Sequence, residues 1–509
     1  MSFDFHVFSE EQLAGALANV FITPEEVLQR ERSRYLAGYL TEIGARSIVV
    51  ENDYTDGDYL DDYASYYYSC FEPYPRLCKR LHFFKSSFDE AIFANIVAGK
   101  ESPKLLKDSY LGFVIARPLP QAVIGRTVLK TYEPAGRRYY PVKRRYEPHL
   151  AGIKLEIEGL AFQEQDRVTA ACATVALWSA FHMTSKLFHG TRRPRPSHIT
   201  EAANTVRAAS RTLPTHGLDV FQMCEAIRAA HLEPEVIPIA GGTPAASIIY
   251  GYLRAKLPVI MICEVEGVGT HAITLNGYSI PSEEPDFSEP VTRNVRSYAS
   301  RIAEFYGHDD QIGPYAHMFI RKPRSKKEAK KYPFILEGSW KVDGKKAMIL
   351  PSLLVVPLYE KIRLRYIEMH AWIQRIMSLL VRSFTVADFE WDVHLTTTNG
   401  YKSALRDPAT EHPLGSDQIL LEQQPRFFWK AKVNYKGAPV FEVLGDATDF
   451  GNEDDVKHSF PLFRVAWYND QTRDVFRQFI EDDSDGVIRA LWGSKLSLLM
   501  SGTSPRQRH

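Results

Sequence analysis

Apolar residues recur in the first third of the chain with the spacings of regular structure. The segment 110–116 (YLGFVIA) is apolar throughout and is closed by Pro118 and Pro120, so it predicts a buried strand. A helix over Pro24–Gly44 is predicted from apolar residues at near-helical spacing, which are Val27, Leu28, Tyr35, Leu36 and Leu40. Between these two lies Asp53–Pro75, a tyrosine-rich segment without regular pattern, which we expect to be an aromatic loop packed on the core.

The last third of the chain also carries clear patterns. Ala347–Leu358 predicts a strand, and Tyr359–Arg382 predicts a helix with one apolar face. After Pro425 the residues alternate around Lys436–Gly437, which is typical of a β-hairpin. This region should therefore combine a helix with a β-rich part.

The middle of the chain predicts a helix followed by several strands. Directly after Cys172, five apolar residues fall at positions i, i+3, i+4, i+7 and i+8, namely Ala173, Ala176, Leu177, Ala180 and Phe181. A second helix is predicted over Leu218–Ala230. Strands are predicted over Leu257–Val265 and Thr270–Tyr278, with a glycine turn between them, and over Ala303–His308. Trp340, in the sequence LEGSW, is expected to be a core residue.

Length and composition limit what this pattern can mean. A chain of 509 residues suggests about three domains, and we place them at 1–150 (α+β), 151–345 and 346–509 (a helix plus a β-rich part). Lys plus Arg and Asp plus Glu both number 62, which argues against a nucleic-acid binder or a polybasic membrane anchor. Five cysteines without paired spacing indicate a reducing compartment, and with no signal peptide or apolar span visible we expect a cytoplasmic protein. No metal-binding or phosphate-binding motif is visible, so no cofactor is expected.

One cysteine stands where a nucleophile could be activated. Cys172 lies at the predicted start of its helix, where free amides and the positive end of the helix dipole stabilise a thiolate. His271 begins the strand after the glycine turn and could exchange a proton with the thiol. Asp309, or alternatively Asp310, follows the next strand and could orient the imidazole. Gln165 precedes the cysteine and could donate its amide to an oxyanion.

These residues resemble motifs of the papain-like superfamily of cysteine peptidases, nearest the bacterial double-glycine leader peptidases that process bacteriocins. The resemblance rests on Gln165-Asp166, Ala171-Cys172-Ala173, Gly217-Leu218-Asp219, the segment 257–279 (LPVIMICEVEGVGTHAITLNGYS) and His308-Asp309-Asp310. The chain departs from that branch in three places. Six residues rather than five separate Gln165 from Cys172, alanine rather than glycine follows the cysteine, and Asp310 stands where proline is usual. An insertion, Ile280–Arg301, lengthens the gap between histidine and acid.

The resemblance implies an α+β fold in which the cysteine helix packs on an antiparallel sheet. It also implies hydrolysis of a peptide or isopeptide bond by a Cys172-His271-Asp309 triad, with Gln165 as oxyanion donor and a peptide or protein as substrate. Two alternatives stay open: the same residues could transfer an acyl group to an amine, or the fold could be a catalytically silent binding scaffold. The flanking regions could bind a protein partner.

Overall fold

The computed structural model describes residues 3–134, 137–166, 168–205, 217–281, 290–292, 295–342, 344–383, 389–449, 461–471, 473–474 and 478. Helix accounts for 32% and strand for 34% of the structure, which makes the chain a mixed α+β protein as predicted. Contacts divide the chain into two compact units. Unit 1 comprises Met1–Thr243, Lys256–Ile280 and Glu304–Leu358, and unit 2 comprises Pro244–Ala255, Pro281–Ala303 and Tyr359–His509.

The helices are α1 (Glu10–Leu17), α2 (Pro24–Gln29), α3 (Glu31–Glu42), α4 (Gly57–Ser65), α5 (Glu90–Val97), α6 (Lys104–Ser109), α7 (Cys172–Leu187), α8 (Pro196–Ala203), α9 (Val220–Ala229), α10 (Ala245–Arg254), α11 (Lys326–Lys331), α12 (Tyr366–Ser383), α13 (Thr398–Ala404) and α14 (Ser416–Leu421). Short 3₁₀ turns occupy Tyr67–Ser69 and Tyr298–Arg301.

The strands are β1 (Phe3–Val7), β2 (Ser47–Tyr54), β3 (Cys78–Phe84), β4 (Tyr110–Ala116), β5 (Ile124–Leu129), β6 (Arg138–Tyr139), β7 (Arg144–Tyr146), β8 (His149–Leu150), β9 (Ile153–Lys154), β10 (Ile157–Gly159), β11 (Glu233–Pro238), β12 (Val259–Val265), β13 (Gly269–Ser279), β14 (Pro290–Thr292), β15 (Val295–Ser297), β16 (Glu304–Asp309), β17 (Gly313–Ile320), β18 (Leu336–Val342), β19 (Lys345–Leu358), β20 (Phe389–Thr397), β21 (Phe427–Tyr435), β22 (Ala438–Asp446) and β23 (Leu462–Trp467).

Unit 1 is built on an eight-stranded antiparallel sheet in the order β11-β19-β12-β13-β16-β17-β18, with β6 beside β13. Because β19 pairs with both β12 and β18, the strands between them close into a ring. Helix α7 lies against this sheet. The Thr274 hydroxyl on β13 donates to the Ala176 carbonyl at 2.8 Å, and the Ser179 hydroxyl donates to the Ala161 carbonyl at 2.8 Å. The apolar stripe after Cys172 therefore forms a buried helix face.

A second, five-stranded antiparallel sheet in unit 1 runs in the order β1-β2-β3-β4-β5. Its core includes Leu40, Phe83 and Val114, and the same cluster contains Tyr306 and Tyr315 from β16 and β17. The predicted segment 1–150 and most of 151–345 therefore lie in one compact unit, whereas Pro244–Ala255 and Pro281–Ala303 belong to unit 2. The end of unit 1 at Leu358 follows from the pairing of β19 with β11 and β12, which places 346–358 in the large sheet.

Unit 2 contains a six-stranded sheet in the order β14-β15-β20-β21-β22-β23, in which only β15 and β20 pair in parallel. Strands β21 and β22 form the predicted hairpin, and the turn residues Lys436 and Gly437 both have positive φ, at 50° and 82°. Two positive φ values are the signature of a type I′ turn, which fits the twist of paired strands. The β-rich character predicted for the C-terminal region is confirmed here.

Several predicted elements are confirmed, with shifted ends. The strand 110–116 is β4 as predicted, and α9, β12, β13, β16 and β19 lie on the predicted segments. The helix predicted from Tyr359 begins only at Tyr366, because the amides of Arg363 and Leu364 donate to the Ala447 carbonyl instead. Of the predicted insertion Ile280–Arg301, residues 282–289 and 293–294 lie outside the described part.

Two predictions in the first region were wrong. The helix predicted over Pro24–Gly44 is two helices, α2 and α3, because Arg30 is extended and its guanidinium donates to the carbonyls of Pro120 and Gln121 at 2.6 and 2.9 Å. The segment Asp53–Pro75 is not a plain loop, since it contains α4, whose N-terminus is capped by the Asp56 carboxylate. Within the described residues, no helix combines the length and the apolar character needed to cross a membrane.

Candidate active site

Cys172 is the first residue of α7. Its neighbour Ala171 is the N-cap, in extended conformation, and no side chain caps the helix. The first-turn amides carry the positive end of the helix dipole. Cys172 is half-buried, and all five cysteines are free thiols. A thiol in this position can be reached by a substrate.

His271, on β13, is buried beside Cys172. Its Nε2 lies 2.9 Å from Oδ1 of Asp309, and the Cys172 side chain is among the neighbours that raise its pKa. Burial lowers the pKa of His271, but the Asp309 carboxylate and the hydrogen bonds to Asp309 and Cys172 outweigh burial and hold it well above its ordinary value. The imidazole is therefore held as a cation in the site.

Asp309, the last residue of β16, is fully supported by hydrogen-bond donors. Besides the bond with His271, Asp309 Oδ1 accepts a hydrogen bond from the backbone amide of Gln311 at 3.0 Å. Its Oδ2 accepts one from the Trp340 indole N–H at 2.8 Å. Burial raises the pKa of the Asp309 carboxyl, but the His271 cation and these donors outweigh burial and leave it lowered. Asp309 is therefore an ionised, rigidly held acceptor, which is what orienting an imidazole requires.

Trp340 is half-buried and does more than fill the core. Its ring packs edge-on against the His271 ring, with centroids 5.9 Å apart and planes at 90°. The pairing of β18 with β19 shifts register between Glu337 and Lys341, and a bulge of this kind re-aims side chains. The expectation of a simple core residue was therefore incomplete, because a local irregularity of the strand directs the indole to Asp309.

Asp310 lies directly beside the pair formed by His271 and Asp309. Its Oδ1 is 3.4 Å from His271 Nε2, compared with 2.9 Å for Asp309. Neither carboxylate oxygen accepts a hydrogen bond from another residue in the described part of the chain. Burial raises the pKa of Asp310 to about 7, with the His271 charge opposing and the Asp309 charge reinforcing that shift. Of the two acids, the geometry therefore favours Asp309 as the orienting one.

The loop before Cys172 is organised by Asp166. Its Oδ1 accepts three backbone amides, from Val168 at 2.9 Å, Thr169 at 2.9 Å and Ala170 at 2.8 Å. Its Oδ2 accepts the Thr169 hydroxyl at 2.6 Å and the Tyr67 hydroxyl at 3.1 Å. The tyrosine-rich segment therefore contributes directly to the support of the loop that leads into α7.

A second contact ties this loop to the acids of the site. The Arg32 guanidinium on α3 forms an ion pair with Glu164, and its Nε donates to the Gln311 carbonyl at 3.2 Å. Glu164 Oε2 also accepts the Ile124 amide at 3.1 Å. The loop before Cys172 and the turn after Asp309 are thus held by one side chain, which fixes the nucleophile loop relative to the orienting acid.

Two glutamines compete for the role of oxyanion donor. Gln165, the predicted one, is 8% exposed and makes no hydrogen bond with Cys172, His271 or Asp309 among the described residues. Gln163 is 2% exposed, and its amide nitrogen has no partner in the described part of the chain. The segment runs beside β5, and residues two apart in an extended chain face the same side, so both amides are candidates.

The structure thus brings Cys172, His271 and Asp309 together, with Asp310 adjoining them, and it leaves the oxyanion donor open between two glutamines. The sequence analysis missed the parts played by Trp340, Arg32 and Gln311. The side-chain amide nitrogen of Gln311 lies 3.5 Å from His271 Nδ1. Arg32 and Trp340 carry no local signal, because they act through contacts distant in sequence. Gln311 also supports Asp309 from only two residues away. Gln163 could have been found, since FQEQ places two glutamines at alternating positions.

The same cluster also has a geometry suited to a metal ion. One ligand atom each from His271, Asp309 and Asp310 lies within 4.8 Å of the others, and all three residues are buried. No other group of three such ligands occurs among the described residues.

Comparison with family models, curated proteins and solved structures finds no match to this chain. The function must therefore be argued from the site. A half-buried thiol at a helix start, a cationic imidazole and an ionised carboxylate can together carry out nucleophilic attack on a carbonyl carbon.

Proposed function

We propose that the protein is a cysteine peptidase with a papain-like catalytic unit, acting on a peptide or isopeptide bond of a peptide or protein substrate. The observation that carries the proposal is the 2.9 Å contact of His271 Nε2 with the Asp309 carboxylate, together with the position of the half-buried Cys172 thiol at the start of α7. The packing of the cysteine helix on an antiparallel sheet supports the papain-like assignment.

The reaction follows from the positions of the groups. The Cys172 sulfur attacks the carbonyl carbon, and the His271 imidazolium donates a proton to the leaving amine. Because Asp309 and Asp310 face Nε2, the other nitrogen, Nδ1, is the one that serves the sulfur. Water then hydrolyses the acyl-enzyme, with the now neutral imidazole accepting its proton. Free amides at the start of α7 and a glutamine amide stabilise the oxyanion.

Two features support hydrolysis over a silent scaffold. A scaffold has no need for a cationic imidazole beside a thiol. Burying that charged ring is unfavourable, and a binding scaffold would gain nothing from it. Asp309 is also held by three independent donors, which is more than packing requires. The five free thiols support a reducing compartment such as the cytoplasm.

The test uses the full chain and a thiol-directed peptide electrophile, with site-resolved mass spectrometry. Wild type should be labelled at Cys172 far faster than at Cys70 or Cys224, which are also half-buried. Cys172→Ala should abolish hydrolysis of a peptide library, while Cys224→Ala should not. Equal labelling of all three cysteines, together with hydrolysis that survives Cys172→Ala, would refute the proposal.

The same experiment separates the two alternatives. With an added primary amine, an acyltransferase would form the amide product in preference to the acid. A silent scaffold would give neither product, and Cys172 would react no faster than Cys224.

A further inference from the structure

Asp310 is not needed by the proposed catalytic triad. Asp309 makes the shorter carboxylate contact with His271, at 2.9 Å, and is itself held by the Gln311 backbone amide and the Trp340 indole. Asp310 is nevertheless only 2% exposed, and neither of its carboxylate oxygens accepts a hydrogen bond from another described residue. Burying an unsatisfied carboxyl is unfavourable unless something compensates for it. The structure therefore contains a second buried carboxyl that faces His271 and has no hydrogen-bond partner among the other described residues.

The charge of this cluster suits a divalent cation. A bound ion would displace the proton on His271 Nε2, and the neutral imidazole and two ionised carboxylates would then carry two negative charges that a divalent ion balances. The ligand set of one imidazole nitrogen and two carboxylate oxygens suits Zn²⁺ and Mn²⁺.

The separations of the ligand atoms agree with this. Two atoms each about 2.1 Å from one ion lie about 3.0 Å apart at a right angle and about 3.4 Å apart at the tetrahedral angle. His271 Nε2 is 2.9 Å from Oδ1 of Asp309 and 3.4 Å from Oδ1 of Asp310. All three ligand atoms lie within 4.8 Å of one another.

We propose that His271, Asp309 and Asp310 form a binding site for a divalent transition-metal ion such as Zn²⁺ or Mn²⁺, and that the bound ion holds the peptidase inactive. The inhibitory part rests on the proposed function, whereas the site itself does not. Binding takes the lone pair of Nε2 and releases the proton on that nitrogen to solvent. The remaining ring proton then stays on Nδ1. The ring is then neutral and no longer faces the sulfur as a cation, so the Cys172 sulfur takes up one proton from solvent, and no free ring nitrogen remains to accept it again.

The experiment measures binding and thiol reactivity separately. Equilibrium dialysis of the metal-free full chain against Zn²⁺ and against Mn²⁺ should give one site. Asp310→Asn should weaken binding by about 10-fold or more, since it removes a charged ligand. Asp108→Asn, at an exposed acid on α6, is the matched control and should bind as wild type does. Alkylation of Cys172 at pH 7 should slow by about 10-fold or more with metal, because an unassisted thiol is only a few per cent thiolate there.

Cys172→Ala decides where the metal lies. Binding retained in Cys172→Ala and weakened in Asp310→Asn supports the site. Binding lost in Cys172→Ala and unchanged in Asp310→Asn would place the metal on the thiol and overturn it. Metal that binds at the acids without slowing alkylation would overturn the inhibition. Dialysis needs no turnover, so it decides the metal site even if the chain proves to hydrolyse no peptide.

Discussion

The hydrogen bond from the Trp340 indole to Asp309 offers a direct test of how the acid is held. Trp340→Phe keeps an aromatic ring beside His271 but removes the N–H that donates to Asp309 Oδ2 at 2.8 Å. A hydrogen bond to a charged group in a buried site contributes about 1.5–3 kcal/mol. At about 1.4 kcal/mol per pKa unit, its loss should raise the pKa of Asp309 by about 1 to 2 units.

The sign follows from the role of the donor. The pKa of Asp309 lies below its ordinary value partly because the indole stabilises the ionised form. Without the indole, the carboxylate becomes protonated at a higher pH, and His271 then loses the anion that keeps it charged. The acid limb of Cys172 alkylation should therefore move up by about 1 to 2 pH units, while the rate near pH 8 changes much less.

The assay is the rate of Cys172 labelling between pH 4 and pH 9, followed by mass spectrometry in the presence of a chelator. Trp178→Phe is the matched control, because Trp178 is fully buried on α7 and its indole nitrogen has no partner among the described residues. That variant should leave the acid limb in place. A Trp340→Phe profile that superimposes on wild type would refute the reasoning, as would an equal shift in Trp178→Phe.

Three further outcomes are expected. Asp166→Ala should slow Cys172 labelling by about 10-fold or more, because the loop before Cys172 is then misplaced. Tyr67→Phe removes only one of the five hydrogen bonds to Asp166 and should slow labelling much less. Equal effects of the two substitutions would argue against this role of Asp166. Arg32→Gln should lower the free energy of unfolding in urea by about 3 kcal/mol, because it leaves the Glu164 carboxylate buried without its ion partner; a loss below about 1 kcal/mol would contradict this. Burial lowers the pKa of His82 to about 4, so below pH 6.5 the unfolded chain binds the proton more readily and stability falls as the pH falls towards 4. Between pH 7 and pH 5 the contribution is about 2 kcal/mol, and urea unfolding of His82→Gln should lack it; an unchanged pH dependence would contradict the buried neutral imidazole.

The sequence was informative about elements whose residues are in local contact. The strand 110–116, the hairpin around Lys436–Gly437 and the helix after Cys172 were all predicted, since periodicity and turn chemistry are local properties. The prediction was wrong where distant contacts override local preference. Arg30 interrupts a helical pattern because its side chain binds carbonyls about 90 residues away.

The candidate site divides in the same way. The sequence alone singled out Cys172, His271 and the acids Asp309 and Asp310, because a thiol at a helix start and a histidine at a strand start follow from local pattern. The low number of cysteines and the balanced charge are also properties of the sequence alone. None of these features gives the distance between any two groups of the site.

Tertiary structure alone decided which groups meet. The choice between Asp309 and Asp310 came from distances of 2.9 and 3.4 Å to one ring nitrogen, which the sequence cannot resolve for adjacent residues. The contact of Trp340 with Asp309 depends on a register shift between β18 and β19, and the support of Asp166 by Tyr67 spans 99 residues. Periodicity reports which face of an element is buried, but a hydrogen bond depends on where two separate elements are packed. For that reason the sequence could propose the chemistry, and only the fold could supply its geometry.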